Sequence, residues 1–219
     1  MTKHLLRDLE NLKKQVLLVG SMVEGSILKA TIALLERRPE LAAEVLHGDD
    51  AIDAREVMVE EECLKILALH QPGAIDLRYI ITVLKVNNDL ERMGDLAGNI
   101  AARAQELLKY APVRFPPEFA TMVQTVRTMV HDALDTLVQS NVPLARRVLA
   151  ADDVVDQIHR QMFREMQALA KKDPENMEAP ISVLSVSRYL ERIADQCTNI
   201  AEDVIFLVEG EIVRHRRAR

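Results

Sequence analysis

The sequence predicts an all-α protein of two pseudo-symmetric antiparallel three-helix bundles, six long helices in all. Three observations carry that prediction. Apolar residues recur at three- and four-residue spacing along almost all of the 219 residues. Turn formers are scarce, with 7 Gly and 8 Pro, so each element must be long. One six-residue phrase occurs twice, as LERMGD at 90–95 and LERIAD at 190–195.

The first helix is read from the stripe Leu5, Leu9, Leu12, Val16, Val19, Val23 and Ile27. It should run from about residue 4 to Arg37 and stop before Pro39, because the residue before a proline is pushed out of the helical region. A second helix follows over about 40–70 and ends at Pro72-Gly73. A third covers about 74–110 and ends at Pro112. The segment APVRFPPEF (111–119), with three prolines, is the one strong linker. The pattern then restarts, with helices over about 118–140, 143–172 and 177–212. Pro143 and Pro180 fall in first turns, where a missing N–H costs nothing, and Pro174 closes the fifth helix. The expected units are residues 1–111 and 117–219, joined by a linker at about 112–116.

Composition narrows the class. With 48% hydrophobic residues, 3% aromatics and no Trp, the core must be built from Leu, Ala, Val, Ile and Met, as in helical bundles. A net charge of −6 argues against nucleic acid as a partner. Cys63 and Cys197 sit in apolar helical contexts and read as reduced core thiols, which suits the cytoplasm. The N-terminus MTKHLLRDLENLKK has charges throughout and no signal-peptide pattern. No uncharged run approaches the roughly 18–20 residues of a membrane span, so contact with a membrane is expected only peripherally. Gly-rich phosphate loops, zinc-type Cys/His spacings and nucleophile motifs are lacking.

The two halves align. Residues 81–101 lie on 181–201, matching Leu90-Glu91-Arg92 with Leu190-Glu191-Arg192, Asp95 with Asp195, and Asn99-Ile100-Ala101 with Asn199-Ile200-Ala201. VLHGDDAID (45–53) lies on VLAADDVVD (148–156). Matched apolar positions follow from any duplicated bundle, but matched charges need another reason. Each half carries two acidic pairs at i, i+4: Asp49/Asp53 with Glu91/Asp95, and Asp152/Asp156 with Glu191/Asp195. Such pairs share a helix face and repel by a few tenths of a kcal/mol. The two pairs of each half lie on successive antiparallel helices, so they can face each other across one groove. Four carboxylates there make an oxygen-rich site for a hard or borderline cation such as Mg²⁺, Mn²⁺, Zn²⁺ or iron. Asn99 and Asn199, one turn past the second acid, can add amide oxygens or orient ligands. The competing reading is a solvated acidic face neutralised by Arg92 and Arg192.

Other features weigh less. A ferritin-like di-iron site needs Glu-x-x-His on two helices. The nearest match is Asp156-x-x-His159, and Glu56 replaces the histidine in the first half, so His159 reads as a surface or partly buried residue. Glu60, Glu61 and Glu62 read mainly as solvated, and RHRRAR (214–219) as a basic solvated end.

These residues resemble the PhoU family of phosphate-specific transport system accessory proteins. The resemblance rests on LERMGDLAGNIA, LERIADQCTNIA, HQPGAIDLRYI (70–80) and the paired GDDAID and ADDVVD, and it covers essentially the whole chain. The second half departs at Asp76-Leu77-Arg78, where Asn176 and Glu178 fall, and Gly94 becomes Ala194, so any role of Arg78 is asymmetric. The resemblance implies a cytoplasmic, non-enzymatic negative regulator of phosphate uptake and phosphate-starvation signalling. It implies a homodimer whose partners are the ATPase subunit of a phosphate ABC transporter and a sensor histidine kinase. It also implies metal clusters on the acidic motifs, one from Asp49, Asp53, Glu91 and Asp95, the other from Asp152, Asp156, Glu191 and Asp195. Two alternatives stay open: a metal-dependent carboxylate-bundle oxidase or phosphohydrolase, and a metal-free helical adaptor.

Overall fold

The computed structural model describes residues 3–113 and 115–210. The basic segment 214–219 lies outside them. Six α-helices are present: α1 (Lys3–Glu36), α2 (Pro39–His70), α3 (Ala74–Leu107), α4 (Pro117–Gln139), α5 (Val142–Lys172) and α6 (Glu178–Glu209). A short 3₁₀ turn, Pro174–Asn176, which periodicity does not announce, links α5 to α6. No strand occurs among the described residues.

Helix ends depart from the sequence reading by a few residues, each for a local reason. α1 stops at Glu36 because Arg37 turns left-handed, with φ 55°. Its guanidinium Nη2 then donates to the carbonyls of Leu108 and Tyr110 at the end of the first bundle. α4 stops at Gln139 because Ser140 is left-handed, with φ 50°. Asn141 then caps α5, its Oδ1 accepting from Leu144 N–H at 3.0 Å. α6 closes at Glu209, three residues early, with Gly210 at φ 74° supplying the left-handed stop.

The apolar stripe of α1 is the floor of the first bundle: Leu12, Val16, Val19 and Val23 are fully buried, and Ile27 nearly so. Among the described residues α1 is also the one helix long and apolar enough to cross a bilayer, but that apolarity is spent on the core. Within each half every helix packs on the other two, which closes α1–α3 and α4–α6 as separate three-helix bundles. The halves then join along α3 against α6 and α1 against α4. The helices therefore form two layers. α2, α3, α6 and α5 lie side by side in one, over α1 and α4 in the other.

Polar ties fix the register of the helices. Lys13 Nζ donates to the Val138 carbonyl at 2.8 Å, and His131 Nδ1 faces Glu24 at 3.3 Å between α1 and α4. Lys85 Nζ reaches Asp203, which is 2% exposed, at 3.1 Å between α3 and α6. His70 Nε2 sits 2.9 Å from Asp8 Oδ2 and fastens the end of α2 to the start of α1. That hydrogen bond holds the Asp8 carboxyl below its ordinary range.

The α1–α4 contact depends on a missing side chain. A Cβ on Gly20 would stand 2.5 Å from Leu134 Cδ2, whereas one on Gly25 would meet nothing within 4 Å. Gly20→Val should destabilise the protein by about 1–3 kcal/mol through overpacking. Gly25→Ala should stabilise it by about 0.5–1 kcal/mol through helix propensity alone. Thermal unfolding followed by circular dichroism distinguishes the two, and equal effects would place the close approach elsewhere.

Candidate functional site

α2 opens with Pro39 in its first turn, and Asp49/Asp53 sit well inside the helix rather than at its start. The pair faces α3 because Ile52, 2% exposed, anchors α2 in the core and turns its neighbours outward. On α3 the acids Glu91 and Asp95 flank the buried Met93 and Gly94. A Cβ built on Gly94 or Gly98 would come within 3.8 Å of an Asp49 carboxylate oxygen, so the small residues of α3 lie directly beneath that side chain.

Electrostatics shows that the four acids of the first bundle share one groove. Burial pushes the Asp49 carboxyl up, and Asp53 and Asp95 push it further. Burial also raises Glu91, helped by Asp95, Asp53 and Glu56, with Arg92 opposing. The second bundle repeats the arrangement more deeply. Asp152 is pushed up to about 6 by burial first, then by Asp195, Asp156, Asp153 and Glu191. Glu191 is raised by burial, Asp195 and Asp156, and Asp195 by burial and Asp156, with Arg192 opposing in both cases. Asp152 Oδ1 is enclosed and has no hydrogen-bond partner. Asp156 Oδ2 accepts from Arg160 at 3.0 Å.

The eight predicted acids therefore gather four by four, on the outer faces of α2/α3 and α5/α6. The grooves are open: Asp53, Asp95 and Asp195 are exposed and the other five half-buried. The donor set fits a hard or borderline cation, and the orphaned Asp152 oxygen is an acceptor awaiting a positive partner. Among the described residues no three or more His, Cys, Asp or Glu side chains are yet drawn together as one ion requires. Bare carboxylates spread apart by repulsion, so cation binding would have to be accompanied by side-chain closure.

The auxiliary residues are scattered. Arg92 and Arg192 are exposed and oppose the upward shift of Glu91 and Glu191. Asn99 is exposed. Asn199 is half-buried and lines, with Arg92, Lys85, Asn88 and Thr198, a separate cavity of about 610 Å³ between α3 and α6. Arg78 is at the far end of α3, about 20 Å from Glu91 at the helical rise per residue. Its Nη1 donates to the Leu207 carbonyl at 3.3 Å, and its guanidinium lies over the Phe206 ring at 5.5 Å. It ties α3 to the end of α6 and does not orient the acids. That tie has no copy in the other half, in keeping with the asymmetry of the sequence at this position.

Asn87 and Ser187 escaped the sequence reading as site members. Asn87, fully buried one turn before Glu91, donates from Nδ2 to both the carbonyl and Oε1 of Glu56 at 2.9 Å. Glu56 in turn raises Glu91. In the second bundle His159 Nδ1 lies 2.6 Å from Ser187 Oγ. His159 is half-buried, as expected, and burial lowers its pKa. The alignment of 81–101 on 181–201 already paired Asn87 with Ser187. Cys63 and Cys197 are buried free thiols, and burial pushes Cys63 up to about 12.

The raised acids have a consequence for stability. A carboxyl with a folded pKa above its unfolded value binds protons more tightly when folded. Its penalty is absent below the ordinary carboxylate range and fully present above the raised value. Through Asp152, metal-free protein should lose about 1–2 kcal/mol between pH 4 and pH 6.5, a figure discounted for partial solvation. Asp152→Asn should flatten that part of the stability–pH curve and raise the melting temperature at pH 7. A variant as pH-sensitive as wild type would mean that the carboxyl is solvated.

Comparison with known proteins places these grooves in a family. The PhoU domain model matches the chain twice, over residues 16–104 and 119–204. The Aquifex aeolicus phosphate-specific transport system accessory protein PhoU homolog is 41% identical over 215 residues, 98% of this chain and 97% of that protein. The accessory protein PhoU of Escherichia coli (strain K12) is 31% identical over 95% of this chain and 86% of its own length. The crystal structure of PhoU from Pseudomonas aeruginosa superposes with TM-score 0.91 at 36% identity, covering 94% of this chain and 99% of that one. That of the phosphate transport system regulatory protein PhoU from Streptococcus pneumoniae gives 0.87 at 28% identity, covering 95% and 99%. With two copies of the domain filling most of its length, each carrying one acidic groove, the chain belongs to the PhoU family.

Proposed function

We propose that this protein is a cytoplasmic negative regulator of phosphate uptake and phosphate-starvation signalling. In this reading it couples the ATPase subunit of a phosphate ABC transporter to a sensor histidine kinase, meeting the membrane only through those partners. It works as a homodimer and as an adaptor, without turnover of its own. The observation that carries the reading is the duplicated groove. Two equivalent sets of four carboxylates are held on one layer of a six-helix body, and three relatives named for phosphate-specific transport or its regulation match the chain over 86–99% of their own length.

Asp49, Asp53, Glu91 and Asp95 would hold a cation in the first groove, and Asp152, Asp156, Glu191 and Asp195 in the second. Iron, Mn²⁺, Mg²⁺ or Zn²⁺ would each suit such donors to a different degree. When bound, the ion supplies positive charge that offsets carboxylate repulsion and presents a face able to attract an anion. The chain's own residues do the rest. α2 and α5 are held against α3 and α6 by packing, Arg92 and Arg192 temper the acids from the rim, and enclosed Asp152 Oδ1 keeps an acceptor without a protein partner.

Glu91→Ala/Asp95→Ala removes like charge and so should stay folded. In native cells it should lose capture of the transporter ATPase or kinase in a pull-down and switch on a phosphate-starvation reporter at high phosphate. Unchanged capture together with unchanged repression would make the groove incidental to signalling. Elemental analysis of protein purified without chelator tests occupancy separately.

A further inference from the structure

The two grooves agree in their acids and differ in the pair that continues each of them by one helical turn. In the first bundle that pair is Glu56 and Asn87; in the second it is His159 and Ser187. Asn87 is fully buried on the floor between α2 and α3. Both of its amide hydrogen bonds come from Nδ2 and go to Glu56, which leaves Oδ1 enclosed with no partner. An enclosed amide oxygen without a donor is uncommon, and next to Glu56 it is an acceptor that a cation can use. Asp53 and Glu60 on α2 and Glu91 on α3 stand near Glu56, acting on it or acted on by it. Every donor in this extension is an oxygen.

The second groove puts an imidazole at the place of Glu56. His159 and Ser187 are joined at 2.6 Å, and Ser187 is fully buried. In the tautomer whose Nδ1–H donates to Ser187 Oγ, the Nε2 lone pair is left free, the arrangement usual for a metal-ligating histidine. Asp156 lies close enough to act on the ring, with Arg160 and Arg188 opposing. Carboxylate and amide oxygens suit Mg²⁺, Ca²⁺ and Mn²⁺, whereas an added imidazole suits Zn²⁺, Fe²⁺ and Co²⁺.

We propose that the two grooves are chemically distinct cation sites: Glu56 and the free Asn87 oxygen make the first an all-oxygen site, and His159, oriented by Ser187, makes the second a site for a nitrogen-preferring ion. This rests on the reading of the acidic grooves as cation sites and assigns each its own ion class. The protein would then require two kinds of cation to be fully loaded.

The test is calorimetric titration of chelator-stripped full-length protein with Zn²⁺ and with Mn²⁺. Both kinds of site favour Zn²⁺ to some degree, so the quantity read is the Zn²⁺/Mn²⁺ affinity ratio of each site. Wild type should show two classes of site with different ratios. His159→Glu/Ser187→Asn should bring the second ratio down to the first, a fall of roughly 10-fold or more. Glu56→His/Asn87→Ser should raise the first ratio by a similar factor. Proton NMR of Co²⁺-loaded wild type should show one shifted imidazole N–H, absent in the milder variant His159→Gln. Ions that bind with ratios unchanged in every variant would overturn this assignment and leave the grooves as equivalent cation sites. No binding of either ion to wild type would overturn both this assignment and the reading on which it rests.

Discussion

The packing of α3 against α6 is the constraint from which the rest of the molecule follows. These two helices carry both copies of the repeated phrase, and they run antiparallel. Arg78 near the start of α3 meets Leu207 near the end of α6, Lys85 meets Asp203, and Arg103, ion-paired to Glu106 on its own helix, comes within reach of Tyr189. Residue numbers across the seam rise on one side as they fall on the other, so equivalent positions of the two copies lie around a common centre. α2 is forced to one outer edge and α5 to the other, with α1 and α4 beneath. Both acidic grooves then open on the same layer. Each groove is local to its own bundle, but their placement side by side is a property of the seam.

Each groove is a place where packing and electrostatics disagree. The helices come together because Val45, Ile52, Met93 and Ala97 in one half, and Val148, Val155, Ile193 and Ala194 in the other, leave water. The same approach carries four carboxylates into partial burial beside one another, which raises every one of the five whose shift is resolved. Arg92, Arg192 and Arg160 relieve part of this from the rim. The core is large enough to absorb the remainder, since stability is a small difference between large sums. A fold that keeps such a conflict at two equivalent places holds a negative electrostatic potential that positive charge would relieve.

What was legible in the sequence is what depends on one helix at a time. The 3.6-residue period located six helices, and the repeat of Glu91/Asp95 at Glu191/Asp195 located the acids that gather. What depends on two helices at once was harder. Nothing local distinguishes Arg37, Gln71 and Ser140 as the residues that turn left-handed, since none is glycine. The turn is imposed by where the next helix must pack. Asn87 reads as an ordinary polar residue in a helical run until α2 brings Glu56 over it. Arg78 belongs to a motif on the same helix as Glu91 and Asp95, and the sequence says of it only that its role is asymmetric. Its real partner, the end of α6, lies more than a hundred residues away and is visible only once the seam is formed. Asn199 was displaced for the same reason, because α3 rather than α5 forms the wall facing it.

Differences between the two copies follow the same division. Apolar positions that serve a single bundle, such as Val83/Val183, Val86/Val186 and Ile100/Ile200, are identical, because each bundle solves the same packing problem. Positions that face the seam or extend a groove diverge. Lys85 corresponds to Ser185, Asp89 to Tyr189, Arg103 to Asp203 and Asn87 to Ser187. Around a pseudo-two-fold centre two like charges would face each other here, since Lys85 would face an arginine if 203 matched its counterpart Arg103. Exchange of Arg103 for Asp203 turns one such meeting into an ion pair, while Tyr189 gives Arg103 a neutral partner. Duplication therefore fixes the scaffold and the eight acids, but joining the copies into one body requires that they cease to be the same.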